Sequence, residues 1–189
     1  MINQLLRNKP AFQTVLSVSN IARLTNKQPD VNMLSALSYH VQKGNLIRLS
    51  KGLYALDNQY SRFELANRLR QPSYISLYTV LQKAGVVFQP YTSIFIVSNR
   101  SETFVVENQK YVYRKIKNQI LLDSQGIHEI HGIFEASLER AILDKIYLDG
   151  EEYFDNVSSV NWDVANNLND NIYKSRNIRS YINKIRHYA

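Results

Sequence analysis

Between Asn32 and Lys51 the residue types and their intervals suit the recognition of a nucleic acid. Asn32, Ser35, Ser38, Tyr39, Gln42 and Lys43 recur at intervals of three and four, which on a helix sets them along one side. Their amides, hydroxyls and single aromatic ring can meet base edges, and almost no negative charge interrupts them. Arg48, Ser50 and Lys51 follow closely, and such cations and hydroxyls suit phosphate oxygens. A polar helix face is equally an ordinary solvated surface, so the charge distribution has to decide between the two.

Residues 1–56 hold Arg7, Lys9, Arg23, Lys27, Lys43, Arg48 and Lys51 against Asp30 alone, a net +6 of the chain's +7. Residues 57–150 carry 11 basic and 10 acidic side chains, and residues 151–189 carry 5 of each. The excess therefore belongs to the front, where Lys27 joins the candidate DNA-binding set. A polyanion is the partner that this asymmetry implies, double-stranded DNA above all.

Elsewhere the reactive residue types do not assemble a reacting centre. His128-Glu129-Ile130-His131 alternates like a strand between Gly126 and Gly132, so its histidines face opposite ways, whereas ligands on one helix face need spacings of three or four. Glu102, Glu107 and Lys110 faintly resemble a nuclease carboxylate–lysine set, but the last two lie across an expected turn. There is no GxxxxGK loop, no cysteine nucleophile and no serine elbow. The expectation is a binding protein rather than an enzyme, with no catalytic residue, cofactor or metal. The lack of cysteine also excludes disulfides and thiolate zinc sites. No apolar h-region opens the chain and no stretch nears the roughly 20 apolar residues that span a bilayer, so a cytoplasmic protein without a membrane partner is expected.

The elements that would position the front residues can be read from caps and periodicity. Ile2, Leu5 and Leu6 mark one side of a short helix ending before Lys9-Pro10. Ser17 can cap a second helix with Val18, Ile21, Ala22 and Thr25 inward and Asn26 as its stop. Pro29-Asp30 starts a third, for which Val31, Leu34, Leu37 and Val41 are the expected inner stripe and Gly44 the end. Leu46–Leu49 and Leu53–Leu56 flank a Gly52 turn, the pattern of a hairpin. Three short helices and a basic hairpin make a winged helix-turn-helix, whose third helix enters a major groove while the hairpin lies against the neighbouring backbone. Winged helices also serve as protein-docking modules.

After a polar linker at Asp57–Tyr60 come a helix with Phe63, Ala66 and Leu69 inward and another capped by Ser76 and ended by Gly85. Strands are expected at Thr92–Val97, Thr103–Glu107, Tyr111–Lys115 and Ile127–Phe134, then a helix over Leu138–Leu148 and two more through Trp162 and Ile172–Ile185. The class is thus α+β: a winged helix-turn-helix over residues 1–57, then over residues 58–189 a mixed α/β domain with a small, mainly antiparallel sheet and C-terminal helices. Arg68 and Arg70, just before the Pro72-Ser73-Tyr74 turn, could touch a phosphate from the second domain, but they are expected rather to pair with carboxylates, Glu64 among them. Arg114, Lys115 and Lys117 read either as extra backbone contacts or as gatekeeping charges on a strand. The last helix, with Lys174, Arg176, Arg179, Lys184, Arg186, Tyr173, Tyr181 and Tyr188, reads either as a surface for a partner or nucleic acid or as an amphipathic element packing Ile178, Ile182 and Ile185, which explains the isoleucines better.

In order along the chain, "KGNLIRLSKGLYAL", "ELANRLRQPSYISLYTVLQKAGVV", "YVYRKIK" and "ASLERAILDKIYL" resemble the AbiEi family, the antitoxin and regulator half of type IV toxin–antitoxin systems linked to abortive phage infection. The similarity runs from about Phe12 to Leu148. It implies a winged helix that binds inverted repeats at its own promoter and a second domain that counteracts a nucleotidyltransferase-like toxin, the protein acting as a monomer or assembling cooperatively on DNA. The recognition helix maps onto Asp30–Lys43 and the wing onto Asn45–Leu56. Where the family commonly shows a Pro-Glu-Lys-Ala-like run, this chain has Ser137-Leu138-Glu139-Arg140-Ala141. The alternative function is a module that neutralises a toxin by contact without binding DNA.

Overall fold

The computed structural model describes residues 1–186, which form two compact units, Met1–Leu69 and Arg70 onward. Both mix helices with a sheet, so the class is α+β.

In the first unit α1 (Ile2–Asn8) is followed by β1 (Leu16–Ser17), α2 (Val18–Thr25), α3 (Val31–Gln42), β2 (Ile47–Ser50), β3 (Leu53–Ala55) and α4 (Arg62–Leu69). The helix starts are chemical. The Ser17 side chain accepts from Asn20 N while Asn20 answers the Ser17 amide, a reciprocal cap. Asp30 accepts from Met33 N at 2.8 Å and opens α3. Gly44, at φ +71°, turns the chain out of α3. The strands form an antiparallel sheet in the order β1-β3-β2. Leu5, Leu16, Ile21, Ala22, Met33, Leu37, Leu46 and Tyr54 share one core, so helices and hairpin are held by the same apolar contacts.

Three expectations for this unit need correction. In α3 the buried stripe is Met33 and Leu37, with Val41 packed beside them, while Val31 and Leu34 face solvent at 77% and 47% exposure. An interval of four from Met33 to Leu37 to Val41 follows the helix more closely than the expected set, which straddles two faces. In α1 only Leu5 is buried, and Leu6 is exposed.

Finally, the unit extends past residue 57 through α4. The supposed linker is an ordered turn in which Asp57 accepts from Gln59 N and Tyr60 is buried. Glu64 of α4, 1% exposed, explains the extension. One of its carboxylate oxygens accepts from the Thr14 amide and hydroxyl, both at 2.7 Å, and from the Val15 amide at 3.0 Å. Its other oxygen accepts from Arg68 Nε at 2.9 Å, the expected pairing. A buried carboxylate of this kind is tolerated because both of its oxygens accept hydrogen bonds, one of them from a cation.

The second unit begins with β4 (Ser73–Ile75), α5 (Tyr78–Lys83), β5 (Ile94–Ser98), β6 (Glu102–Val106), β7 (Gln109–Lys115) and α6 (Asn118–Leu121). It continues with β8 (Ile127–Ile130), β9 (Ile133–Ala136), α7 (Leu138–Asp149) and α8 (Trp162–Leu168), then a π-helical turn at Asn169–Tyr173 and α9 (Arg176–Arg186). Its sheet runs β6-β7-β5-β4-β9-β8. The β5–β7 and β4–β9 pairs are parallel and the other three antiparallel, so the sheet is larger and more mixed than expected. β4 makes the difference, a three-residue strand at the centre where only a turn and a helix cap were expected. Ser76 does not cap α5; its hydroxyl donates to Asp144 at 2.8 Å, and Leu77 precedes α5 without a side-chain cap.

Ser137 does cap α7, accepting from Arg140 N, so the helix starts at Leu138 without a proline. α7 buries Arg140 and Asp144 completely. Asp144 accepts from Tyr74 at 3.0 Å, Tyr173 at 2.6 Å and Ser76. Arg140 donates to the Gln125 and Ile120 carbonyls at 2.8 and 2.6 Å, stands 3.8 Å from Asp144, and lies over the Tyr74 and Tyr173 rings. Burial pushes Asp144 above the ordinary aspartate range, against the pull of Arg140 and the hydroxyls. This group ties β4, α7 and the π-helical turn together.

Nearer the surface, the Arg70 guanidinium donates to Glu102 and holds that carboxyl below its usual value. Burial pushes Asp149 up, but hydrogen bonds from Arg114 and Lys145 bring it below the usual range as well. Both carboxyls bind a proton less readily folded than unfolded. Their contribution to stability is therefore complete above the ordinary carboxylate range of about 4 and is lost as pH falls through their lower folded values. The thermal midpoint is therefore expected to fall as the pH is lowered below the ordinary carboxylate range of about 4. Glu102→Gln combined with Asp149→Asn should flatten that fall in a calorimetric series.

Candidate nucleic-acid interface

The candidate residues lie within the first unit, on α3, on the β2–β3 hairpin and in the connection before α3. Asn32, Ser35, Ser38, Tyr39, Gln42 and Lys43 are all exposed, because burying Met33 and Leu37 turns the opposite side of α3 outward. Tyr39 meets His40 edge-on at 5.5 Å, and Lys43 Nζ stands 5.9 Å above the Tyr39 ring. His40 in turn is 3.4 Å from the Asn45 amide. Contacts of this kind limit the ring's freedom before any partner arrives. Ser38 donates to the Leu34 carbonyl at 3.0 Å, which leaves its oxygen free to accept.

In the hairpin Leu49 points inward and Arg48 outward. A register shift separates Arg48 from Ser50, which is half-buried, and Lys51 is exposed in the turn. Gly52, at φ +76°, closes that turn, and its carbonyl accepts from Val18 N at 3.2 Å. The hairpin tip is thus tied to the first residue of α2. Lys27 is exposed in the connection before α3 and borders a cleft of about 270 Å³ with Gln28, Asp30 and Asn32.

Charge pairing separates the two units. Arg23, Lys27, Lys43, Arg48 and Lys51 form no ion pair among the described residues; of the unit's three acids, Asp30 caps α3, Asp57 accepts from Gln59 N and Glu64 is occupied by Thr14, Val15 and Arg68. In the second unit Arg70, Lys83, Arg114, Lys145, Arg179, Lys184 and Arg186 each meet a carboxylate. The basic surfaces there that sequence left open, around Arg114 and on α9, are to this extent neutralised. Lys115 and Lys117 stay exposed. Lys174 lies in the left-handed break before α9 instead of on it, α9 buries Ile178 and Ile182, and Tyr188 lies outside the described residues.

His128 sits on β8 and His131 in the tight β8–β9 turn at φ +55°. Among the described residues no group of three or more His, Asp or Glu side chains is placed to hold a metal ion. Nor is any helix among them long and apolar enough to cross a membrane. Sequence reasoning missed two members of the exposed α3 face, Val31 and Leu34, because it counted them as core. No protein-family model matches the chain, and no curated protein is significantly similar to it.

Proposed function

We propose that the first unit is a winged helix-turn-helix that binds duplex DNA, with α3 in a major groove and the β2–β3 hairpin against the adjoining backbone. On this reading the protein is a transcriptional repressor and antitoxin of the AbiEi type, acting at inverted repeats in its own promoter and counteracting a nucleotidyltransferase-like toxin. One observation carries it: five cations without ion-pair partners belong to the same unit as a polar face on α3, a helix that contains no Asp or Glu, in a chain whose other unit neutralises most of its own charges. Free cations gain from phosphate contact because they release condensed counterions without first breaking a bond within the protein.

A mobility-shift titration against the chain's own upstream DNA tests it, and a lack of preference over random duplex at moderate salt would refute it. Substitutions should separate by role. Arg48→Ala is expected to weaken binding to all sequences alike and to flatten the salt slope by about one. Tyr39→Ala or Asn32→Ala should mainly erode the preference for the upstream site, by about 1–3 kcal/mol if a base contact is lost.

A second reading is a docking module that blocks a toxin directly. The exposed Val31 and Leu34 favour it, since apolar groups on an outer face also suit a protein partner. Co-purification with the product of the adjacent gene, without any DNA binding, would select it.

A further inference from the structure

Val31 and Leu34 are the unexplained part of the α3 face. Val31 is 77% exposed and Leu34 47% exposed, and with Ser35 and Ser38 they occupy positions three, four and seven apart, one stripe on the helix. Valine is a poor helix former, so intrinsic propensity does not account for it in the first turn. Packing does not either, since Met33 and Leu37 fill the core side. Single exposed apolar residues are ordinary. These two, however, lie in the N-terminal half of the helix, beside small serines, on a helix without Asp or Glu and in a unit where five cations form no ion pair.

The net positive charge of this unit selects a polyanion, and the N-terminal residues of a helix inserted in the major groove are those that meet base edges. On those edges the apolar group that a duplex offers is the thymine 5-methyl. We infer that Val31 and Leu34 read thymine methyl groups, so that α3 selects its site by apolar contact at its N-terminal end and by hydrogen bonding from Ser38, Tyr39 and Gln42 further along. The inference rests on the DNA-binding reading and adds the base class that the helix recognises. The serines fit this arrangement because their short side chains leave room beside the two methyl-bearing residues on the same stripe.

The test uses the full chain and two versions of its upstream duplex, one amplified with dTTP and one with dUTP, which differ only in the 5-methyl group. Titration by fluorescence anisotropy is run at a salt concentration where the thymine duplex is preferred over random DNA. The unaltered chain is expected to bind the uracil duplex more weakly, by about fourfold for each methyl taken out of contact. The Val31→Ala, Leu34→Ala double variant is expected to bind the thymine duplex more weakly and to lose most of the difference between the two. Circular dichroism should show its helices intact, because alanine favours the helix and neither side chain is buried.

Equal binding of both duplexes by the unaltered chain would overturn the inference while leaving DNA binding in place. A uracil penalty retained in full by the double variant would also overturn it, because the effect would then come from the DNA itself. Binding to neither duplex would overturn the DNA-binding reading and the inference together.

Discussion

Asp144→Ala is expected to lower the unfolding free energy by about 4 kcal/mol, the usual cost of breaking a buried ion pair from one side. Three hydroxyls, from Tyr74, Ser76 and Tyr173, would lose the carboxylate they donate to, with Tyr173 keeping only a longer contact to the Arg140 carbonyl, and the Arg140 guanidinium, fully buried, would keep its charge without an opposite one. Arg140 cannot escape by losing its proton. Burial opposes its charge, yet Tyr173, Tyr74 and Asp144 raise its proton affinity further. The loss is large beside the roughly 5–15 kcal/mol of a typical domain. Asp144→Asn keeps an acceptor oxygen and should cost about half as much. Removing both charges, with Arg140→Met and Asp144→Leu, should recover a good part of the loss, because apolar replacements of buried pairs are often tolerated. Urea unfolding followed through Trp162, the chain's one tryptophan, measures all four proteins. Unchanged stability in Asp144→Ala would mean that this polar group does not hold the second unit together.

The second large effect concerns DNA. Lys43→Ala, Arg48→Ala and Lys51→Ala combined are expected to reduce affinity on the order of 100-fold near 0.15 M salt and to flatten the salt slope by about three, one unit for each phosphate contact removed. Arg179→Ala should leave the slope unchanged, since that cation is already engaged with Asp170 on α9's own unit. Affinity titrations at four or five salt concentrations check both. An equal effect of the two substitutions would mean that net charge alone, and not its placement on α3 and the hairpin, governs binding.

Much of the first unit was legible because its signals are local. Ser17, Asp30, Gly44 and Gly52 act within four residues of themselves, as caps and turns, and the structure places each in that role. The polar face of α3 was equally legible, since six exposed residues share one periodicity. What failed depended on distant partners. Val31 and Leu34 look like core by type, and only the positions of Leu5, Leu16 and Ile21 decide that Met33 is buried instead. Ser76 resembles a helix cap in sequence but serves Asp144, 68 residues away. Arg140 and Asp144, four apart on a helix, ordinarily signal a solvated face; burial of both is invisible until β4 and the π-helical turn cover them. β4 itself is too short to show a period.

The engagement of Glu64 with Thr14 and Val15 also bears on how the chain may be divided. A fragment cut after residue 57 would strand two amides and a hydroxyl at its interior, stripped of the acceptor that α4 brings. An excised first unit should therefore run through Leu69, and a shorter one would misrepresent the intact protein through instability alone.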